Sequence, residues 1–378
     1  EKELVETFGK PDSTTFEYFF SAASFLQYSS SLRVVRAANS GSVNAVVSGT
    51  ALQIKNTDHY QNGDGSTGPY NDGSANVGEW AARTAGAWGN SLQVSVCPSA
   101  TAYEETNKTT TNDSSISIGD TTLTLTSGTG FNVGDIINFG ETGGHEYRIT
   151  AVSSNDITFV RHPSGTGGLH TALGGGTQVR RRWRYYDLVD KAPGTSTYTS
   201  TRSGANDEMH IVVIDEDGGI TGTAGEVLEV YDSVSKASDA KTAQGDSNYY
   251  ADVIYNKSQY IYWMDHNTGG SNWGSTASGT TFTAVDSPFV DSLVSGADGS
   301  AVTTAELKSA YEKFADGDTL DVNLIIAGKG DATHIDNLIT IAENRKDAVV
   351  FCSPERADVV NVTNATTQTT NVKGFFDG

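Results

Sequence analysis

Cysteine is nearly absent. Cys97 and Cys352 are the only two in 378 residues, and they lie far apart. They make no disulfide framework, and they fit a chain folded in a reducing cytoplasm. Long apolar runs are missing too. Nothing approaches the roughly 20 residues of a membrane span, and no secretory leader is visible. Basic charge is in short supply: 25 Lys and Arg stand against 46 Asp and Glu, a net charge of −21. That excess argues against direct nucleic-acid binding or an anionic-membrane partner. It suits a soluble protein that must not aggregate. Glycine is plentiful at 41 residues, alongside many Ser, Thr, Asn and Asp. This composition favours turns and strands over a helical bundle. Hydrophobic residues at 37% are enough for buried cores, and the length allows two or three domains.

Near the start, Phe16, Phe19, Phe20, Ala23 and Leu26 recur at helical spacing, with Thr14 and Glu17 placed for a capping box. "LRVVRAA", Leu32 to Ala38, reads as a strand, and residues 39–77 as a loop-rich excursion. "SLQVSVC", Ser91 to Cys97, is a second strand. Residues 106–182 differ in character. "SISI", "TLTLT", "DIINFG", "EYRITAV" and "ITFVRH" are short alternating strands divided by Gly and Asn turns. They predict an inserted all-β domain, a barrel or sandwich, with linkers at "TNKTTTNDSS" and "DKAPGTSTYTSTRSG" on either side.

From Asp207 the pattern turns mixed. "MHIVVIDEDGGI" reads as a strand, a turn at Asp217-Gly218 and a return. "DSNYYADVIYN" puts Tyr250, Val253 and Ile254 on one helical face, with Asp246 or Ser247 as cap. "QYIYW" is a strand. "TTAELKSAYEKFA" carries a Thr303–Glu306 capping box and a stripe of Leu307, Ala310, Tyr311 and Phe314. "LDVNLIIAG" reads as a buried strand. The next helix places Ile335, Leu338, Ile339 and Ala342 inward, and the strand "AVVFC" follows. Strand, helix, strand at this spacing implies a parallel pair with a right-handed crossover. The fold class is α/β (α+β mixed) and multidomain, a mixed sheet flanked by helices. Residues 1–38, 78–105 and 183–378 form a discontinuous core around the 106–182 insert.

Several stretches imitate chemistry. Ser233 and Lys236 have the Ser-x-x-Lys spacing of an acyl-transfer nucleophile and its base. The segment runs on into polar "ASDAKTAQGD", which reads as a solvated loop. "GDGSTG", Gly63 to Gly68, fits Gly-x-Gly-x-x-Gly but lacks the preceding strand and following helix, so it reads as a flexible loop. The seven histidines, His59, His145, His162, His170, His210, His266 and His334, show no zinc spacing, and neither cysteine sits in a CxxC. His334 reads as a cap or surface residue, and Cys352 as a small core hydrophobe. "RRRWR", Arg180 to Arg184, is the one basic cluster. As a strand it would put Arg180, Arg182 and Arg184 on one face and Arg181 and Trp183 on the other. That points to a salt bridge or subunit contact rather than a nucleic-acid patch. "DEDGG" at Asp215 lacks the frame of a calcium loop and reads as a hairpin turn. No catalytic, cofactor-binding or metal residue is expected.

Other stretches converge on one family. "VETFGKP" at Val5, "FLQYSSSLRVVRA" at Phe25, "GEWAARTAGAWGNSLQVSV" at Gly78, "EVLEVYDSVSKASDAKTAQGDSNYYADVIYNKSQYIYW", "LDVNLIIAG" at Leu320 and "VVFCSPER" at Val349 resemble the tail sheath proteins of T-even-like contractile-tailed bacteriophages. They occur in the family's order and cover about half the chain by eye. The resemblance implies a virion protein that is not an enzyme, assembled in the host cytoplasm. Its subunits would stack as rings in a helical homo-oligomer around an inner tail tube. They would meet baseplate and tail terminator proteins and contract to drive the tube through the host envelope. Family members carry an N-terminal arm and a C-terminal domain that exchange strands between subunits. This chain shows neither and is read as a fragment cut at both ends. The 106–182 insert leaves a second class open, a surface protein that recognises a host glycan. An aromatic platform would favour it, but alternation points most of Phe131, Phe139, Tyr147 and Phe159 inward.

Overall fold

The computed structural model describes residues 3–5, 11, 13 and 15–377. Residues 6–10 and Thr14 lie outside them, and with them most of "VETFGKP" and one half of the expected Thr14–Glu17 box. The chain divides into two compact units. One is Val43–Asp298; the other joins the preceding residues to Gly299–Gly378. Mixed helix and strand character is present in both, spread over several sheets.

The elements run in this order. Helix α1 is Phe16–Leu26 and α2 is Thr57–Asn62. Strands β1 (Trp80–Ala82) and β2 (Leu92–Cys97) follow. Then come β3 (Glu104–Thr110), β4 (Thr122–Thr124), β5 (Ile136–Asn138), β6 (Glu146–Ser153), β7 (Asp156–His162) and β8 (Gln178–Arg182). The next pair is β9 (Glu208–Asp215) and β10 (Glu226–Ser235). Helix α3 (Tyr250–Lys257), β11 (Ile261–Trp263) and β12 (Phe289–Ser292) complete the larger unit. The smaller unit resumes with α4 (Thr304–Tyr311), β13 (Leu324–Ile326), α5 (Ala332–Arg345), β14 (Val349–Phe351) and α6 (Ala365–Asp377).

The larger unit is built on the antiparallel sheet β10-β9-β2-β12. Its centre, β9, is buried at every residue. Alternation sends Leu92, Val94 and Val96 of β2, with Met209, Ile211 and Val213 of β9, to one face. There they pack on Tyr250, Val253 and Ile254 of α3 and on Trp80, Trp263 and Trp273. The opposite face carries Cys97, Val212 and Ile214, covered by Ala102, Trp183 and Tyr185. The α3 stripe is as read, but its cap is not. The N-cap is Tyr249, without a side-chain bond, and Ser247 donates to Asp252 instead. Residues 39–77 are mostly irregular around α2 yet packed: Val46, Ile54, Tyr60, Tyr70 and Val77 bury against Ala81, Tyr262 and Met264.

The inserted segment forms a sheet in the order β3-β8-β5-β6-β7-β4. Its two edges meet. Thr111 bridges Leu125, and Thr126 N donates to Thr110 O at 2.8 Å. The sheet is therefore closed into a small barrel with no free edge. Its interior is its own cluster, including Leu125, Ile137, Tyr147, Phe159 and Val179. The first half of the expected linker at 106–115 belongs to strand β3, which pairs with β8 on either side of a bulge. The other linker is also held down: the Asp207 carboxylate accepts from the Ser196 amide and hydroxyl, both at 2.8 Å. We propose that the barrel is an autonomous domain, since its strands pair with each other and its core is separate. Residues 104–182 expressed alone should melt cooperatively by circular dichroism. A featureless coil signal would reject this.

In the smaller unit β13 and β14 pair in parallel, Leu324 opposite Val349, with α5 between them in sequence. Helix α4 starts with the full Thr303–Glu306 capping box. Three readings shift. On α5 the inward residues are Ile335, Leu338 and Ile341, while Ile339 is exposed. On α1 Ala23 is buried and Phe20 faces out. On β13 only Ile325 is buried, because the helices cover one face of this pair and leave Leu324 and Ile326 exposed. The expected strand at Leu32–Ala38 does not form; its backbone makes no ladder among the described residues. Gly328 is required by close approach. It has φ +65°, and a Cβ there would fall 2.4 Å from the Tyr18 ring.

Candidate functional site

Ser233 and Lys236 belong to the end of β10 and the turn after it, not to a solvated loop. Ser235 and Lys236 are fully buried. The polar sequence misled because its polar groups are satisfied inside. Lys236 Nζ donates to the carbonyls of Pro98 at 2.6 Å, Asn206 at 2.8 Å and Glu208 at 3.0 Å. It also lies 5.4 Å from the Trp273 ring centre. Burial pushes its pKa down to about 8. The three carbonyls, one for each ammonium hydrogen, still favour the charged form at neutral pH. Ser235 Oγ donates to Asp207 at 2.6 Å, joining the same knot.

The structure also brings His210 and Asp232 to Ser233, a set of residue types that could make a nucleophilic triad. The geometry is wrong for it. Ser233 Oγ donates to Asp232 at 2.8 Å, and it is the Ser233 amide that donates to His210 Nδ1, at 3.0 Å. His210 Nε2 faces the Lys191 carbonyl at 2.9 Å, and the ring is fully buried, stacked near Trp183. Burial holds its pKa below the ordinary range against the Lys191 carbonyl and Asp232. A base with both nitrogens engaged cannot take the hydroxyl proton. The cluster fastens β9 to β10.

The remaining motifs resolve the same way. Gly63–Gly68 is an ordered turn around Asp64, whose carboxylate accepts from the Ser66 and Thr67 amides and pairs with Lys55 at 2.5 Å. These contacts, Lys55 first, hold its carboxyl well below the usual range. His59, beside it, is buried and accepts from the Lys55 amide. Asp215 organises the β9–β10 turn. It accepts from Ser91 Oγ and from the Ile220 and Thr221 amides. Burial would raise its pKa, but these bonds outweigh burial and lower it. His334 is fully buried under Tyr311, neither cap nor surface, with Nε2 3.2 Å from the Ala327 carbonyl. Burial raises the pKa of the Cys97 thiol, against an activated nucleophile. Among the described residues no three His, Cys, Asp or Glu are grouped to hold a metal ion. Likewise no described helix is long and apolar enough to cross a membrane.

"RRRWR" alternates as a strand should. Arg181 and Trp183 are buried, while Arg180 is exposed. Arg181 donates to the Ala102 and Thr101 carbonyls at 3.0 and 3.1 Å, and Trp183 Nε1 to Ser95 Oγ at 3.0 Å. Arg182 forms an ion pair with Glu146 and covers the Tyr186 ring. The segment clamps barrel to sheet. Sequence reasoning missed Asp135, buried beneath it, which sat unnoticed in a Gly-Asp turn. Burial pushes its carboxyl up to about 7, with Arg181 opposing the rise.

The polar groups of these motifs are spent on bonds inside the fold. The chain is similar to the tail sheath protein of Salmonella phage ViI, 25% identical over 376 residues, which covers 95% of this chain and 54% of that protein. It is similar to the tail sheath protein of Enterobacteria phage T4, also 25% identical, over 96% of this chain and 56% of that one. The chain thus spans about half the length of these curated relatives. No family model matches it. The resemblance to phage tail sheath proteins, carried first by a handful of motifs, is shown along nearly the whole chain.

Proposed function

We propose that this chain is part of a structural subunit of a contractile phage tail sheath, acting in the virion after assembly in the host cytoplasm. In this reading copies polymerise as stacked rings around an inner tail tube, between baseplate and terminator proteins. Contraction of the lattice drives the tube through the host envelope. The observation that carries it is likeness to two tail sheath proteins over 95% of the chain or more. The engaged Ser233, Lys236 and His210 support a part without catalysis. Energy for such a machine would lie in a metastable packing of subunits, released over a kinetic barrier. The glycan-binding alternative gains nothing from the insert's aromatics, since Phe131, Phe139, Tyr147 and Phe159 are all buried.

Gold-labelled antibody against the barrel should decorate virions along the tail and shorten its labelled span when the tail contracts. Label confined to fibre tips, baseplate or capsid would overturn the proposal.

A further inference from the structure

The barrel is electrostatically unlike the rest of the chain. Residues 104–184 carry seven Lys and Arg against eight Asp and Glu, so nearly all of the net −21 lies elsewhere. On the outer face of β6, Arg148 and Thr150 point away from the barrel core and are exposed. Arg148 sits opposite Ile136, which sits opposite Arg182 on β8. The charge of Arg182 is taken by Glu146. Arg148, Arg180 and Arg184 have no carboxylate partner among the described residues, in a chain with almost twice as many acids as bases.

Two of these arginines share a cleft of about 210 Å³, lined by Val133, Gly134, Arg148, Ile149, Thr150 and Arg184. The cleft is shaped for its arginine. The Arg184 side chain lies across Gly134, which has φ +94°. A Cβ at that position would fall 2.3 Å from Arg184 Cδ. The Gly134 amide is tied to the Ile149 carbonyl at 2.8 Å, so the floor is fixed by the barrel itself. One arginine whose stem crosses the glycine floor, with its guanidinium 5.0 Å from the Tyr185 ring centre, and another on the neighbouring strand offer fork-shaped donors to an oxyanion.

We propose that this cleft is a docking site for a carboxylate-bearing surface of a second copy of the chain. Charge complementarity selects the occupant. Arg148 and Arg184 stand together without a carboxylate on a barrel that is nearly neutral, and the surplus acids lie on the rest of the same molecule. A contact between two different patches of identical chains is heterologous, and it propagates into rings or helices. The inference rests on the assembly reading only in requiring that copies meet; the gold-labelling result is independent of it.

The test compares self-association of the 378-residue chain by sedimentation and light scattering at low ionic strength. The double variant Arg148→Glu/Arg184→Glu is set beside Lys257→Glu/Lys313→Glu, which makes the same change in net charge elsewhere. The cleft variant should lose at least about tenfold more association than the control. Gly134→Ala, which displaces Arg184 without altering charge, should move in the same direction. Added inorganic phosphate at constant ionic strength should compete. A wild-type chain that stays monomeric at the lowest salt would overturn the proposal. So would cleft and control variants that fall together, or phosphate binding that leaves association untouched.

Discussion

Lys236→Met should cost about 3–5 kcal/mol of unfolding free energy. Methionine preserves most of the volume, so the loss is not a cavity effect. It comes from three carbonyls, of Pro98, Asn206 and Glu208, that would remain buried without a donor. Each orphaned buried acceptor costs about 1–3 kcal/mol. The three belong to the residue just after β2, the turn before β9 and β9 itself, so one ammonium ties separate stretches of chain together. Urea unfolding followed by tryptophan fluorescence reads the effect directly, because Trp273 lies beside the amine. A loss below about 1 kcal/mol would mean the carbonyls find other donors.

Asp135 should make the protein less stable as pH rises from about 5 to about 8, and Asp135→Asn should remove that part of the slope. The sign follows from proton binding. Burial raises the folded-state pKa to about 7, while Arg181, the Asn132 and Arg184 amides and Lys108 oppose it. The unfolded carboxyl titrates near the ordinary ~3.9. Between the two values the native state binds the extra proton, so unfolding becomes easier as pH increases. Over pH 5 to 7 the stability gap between variant and wild type should shift by about 2–3 kcal/mol in favour of the asparagine variant. Urea midpoints at pH 5, 6, 7 and 8 measure it. Parallel profiles would show that Arg181 compensates the carboxylate fully.

Local pattern was a good guide where local structure decides. The Thr303–Glu306 box closes on its own helix, and the strands of the insert alternate strictly enough to reveal both their register faces and their inward aromatics. The parallel pairing of β13 with β14 followed from the length of the intervening helix. The misreadings arose where distant chain decides. Leu32–Ala38 has strand composition but no ladder among the described residues. "TNKTT" looks like linker, yet it is strand because β8, some 70 residues later, supplies its partner. "SVSKASDA" looks solvated, and only the carbonyls of Pro98, Asn206 and Glu208, far off in sequence, make burial of its lysine tolerable. The absence of a recognisable catalytic pattern around Ser233 and Lys236 could be argued from flanking sequence. The reason those residues are occupied could not.

One consequence of the barrel's attachment concerns what else the scaffold could carry. Its first and last strands are neighbours, with Glu104 directly opposite Arg182. Paired residues on antiparallel strands sit only about 4.5–5.5 Å apart. The host sheet therefore sees the whole module as a pair of adjacent stems. Any other compact fold whose ends emerge side by side could be spliced onto those stems while the four-stranded sheet keeps its register. A reporter enzyme or an antigen of that shape could be exchanged for the barrel, which makes this junction a natural place for grafting a foreign domain.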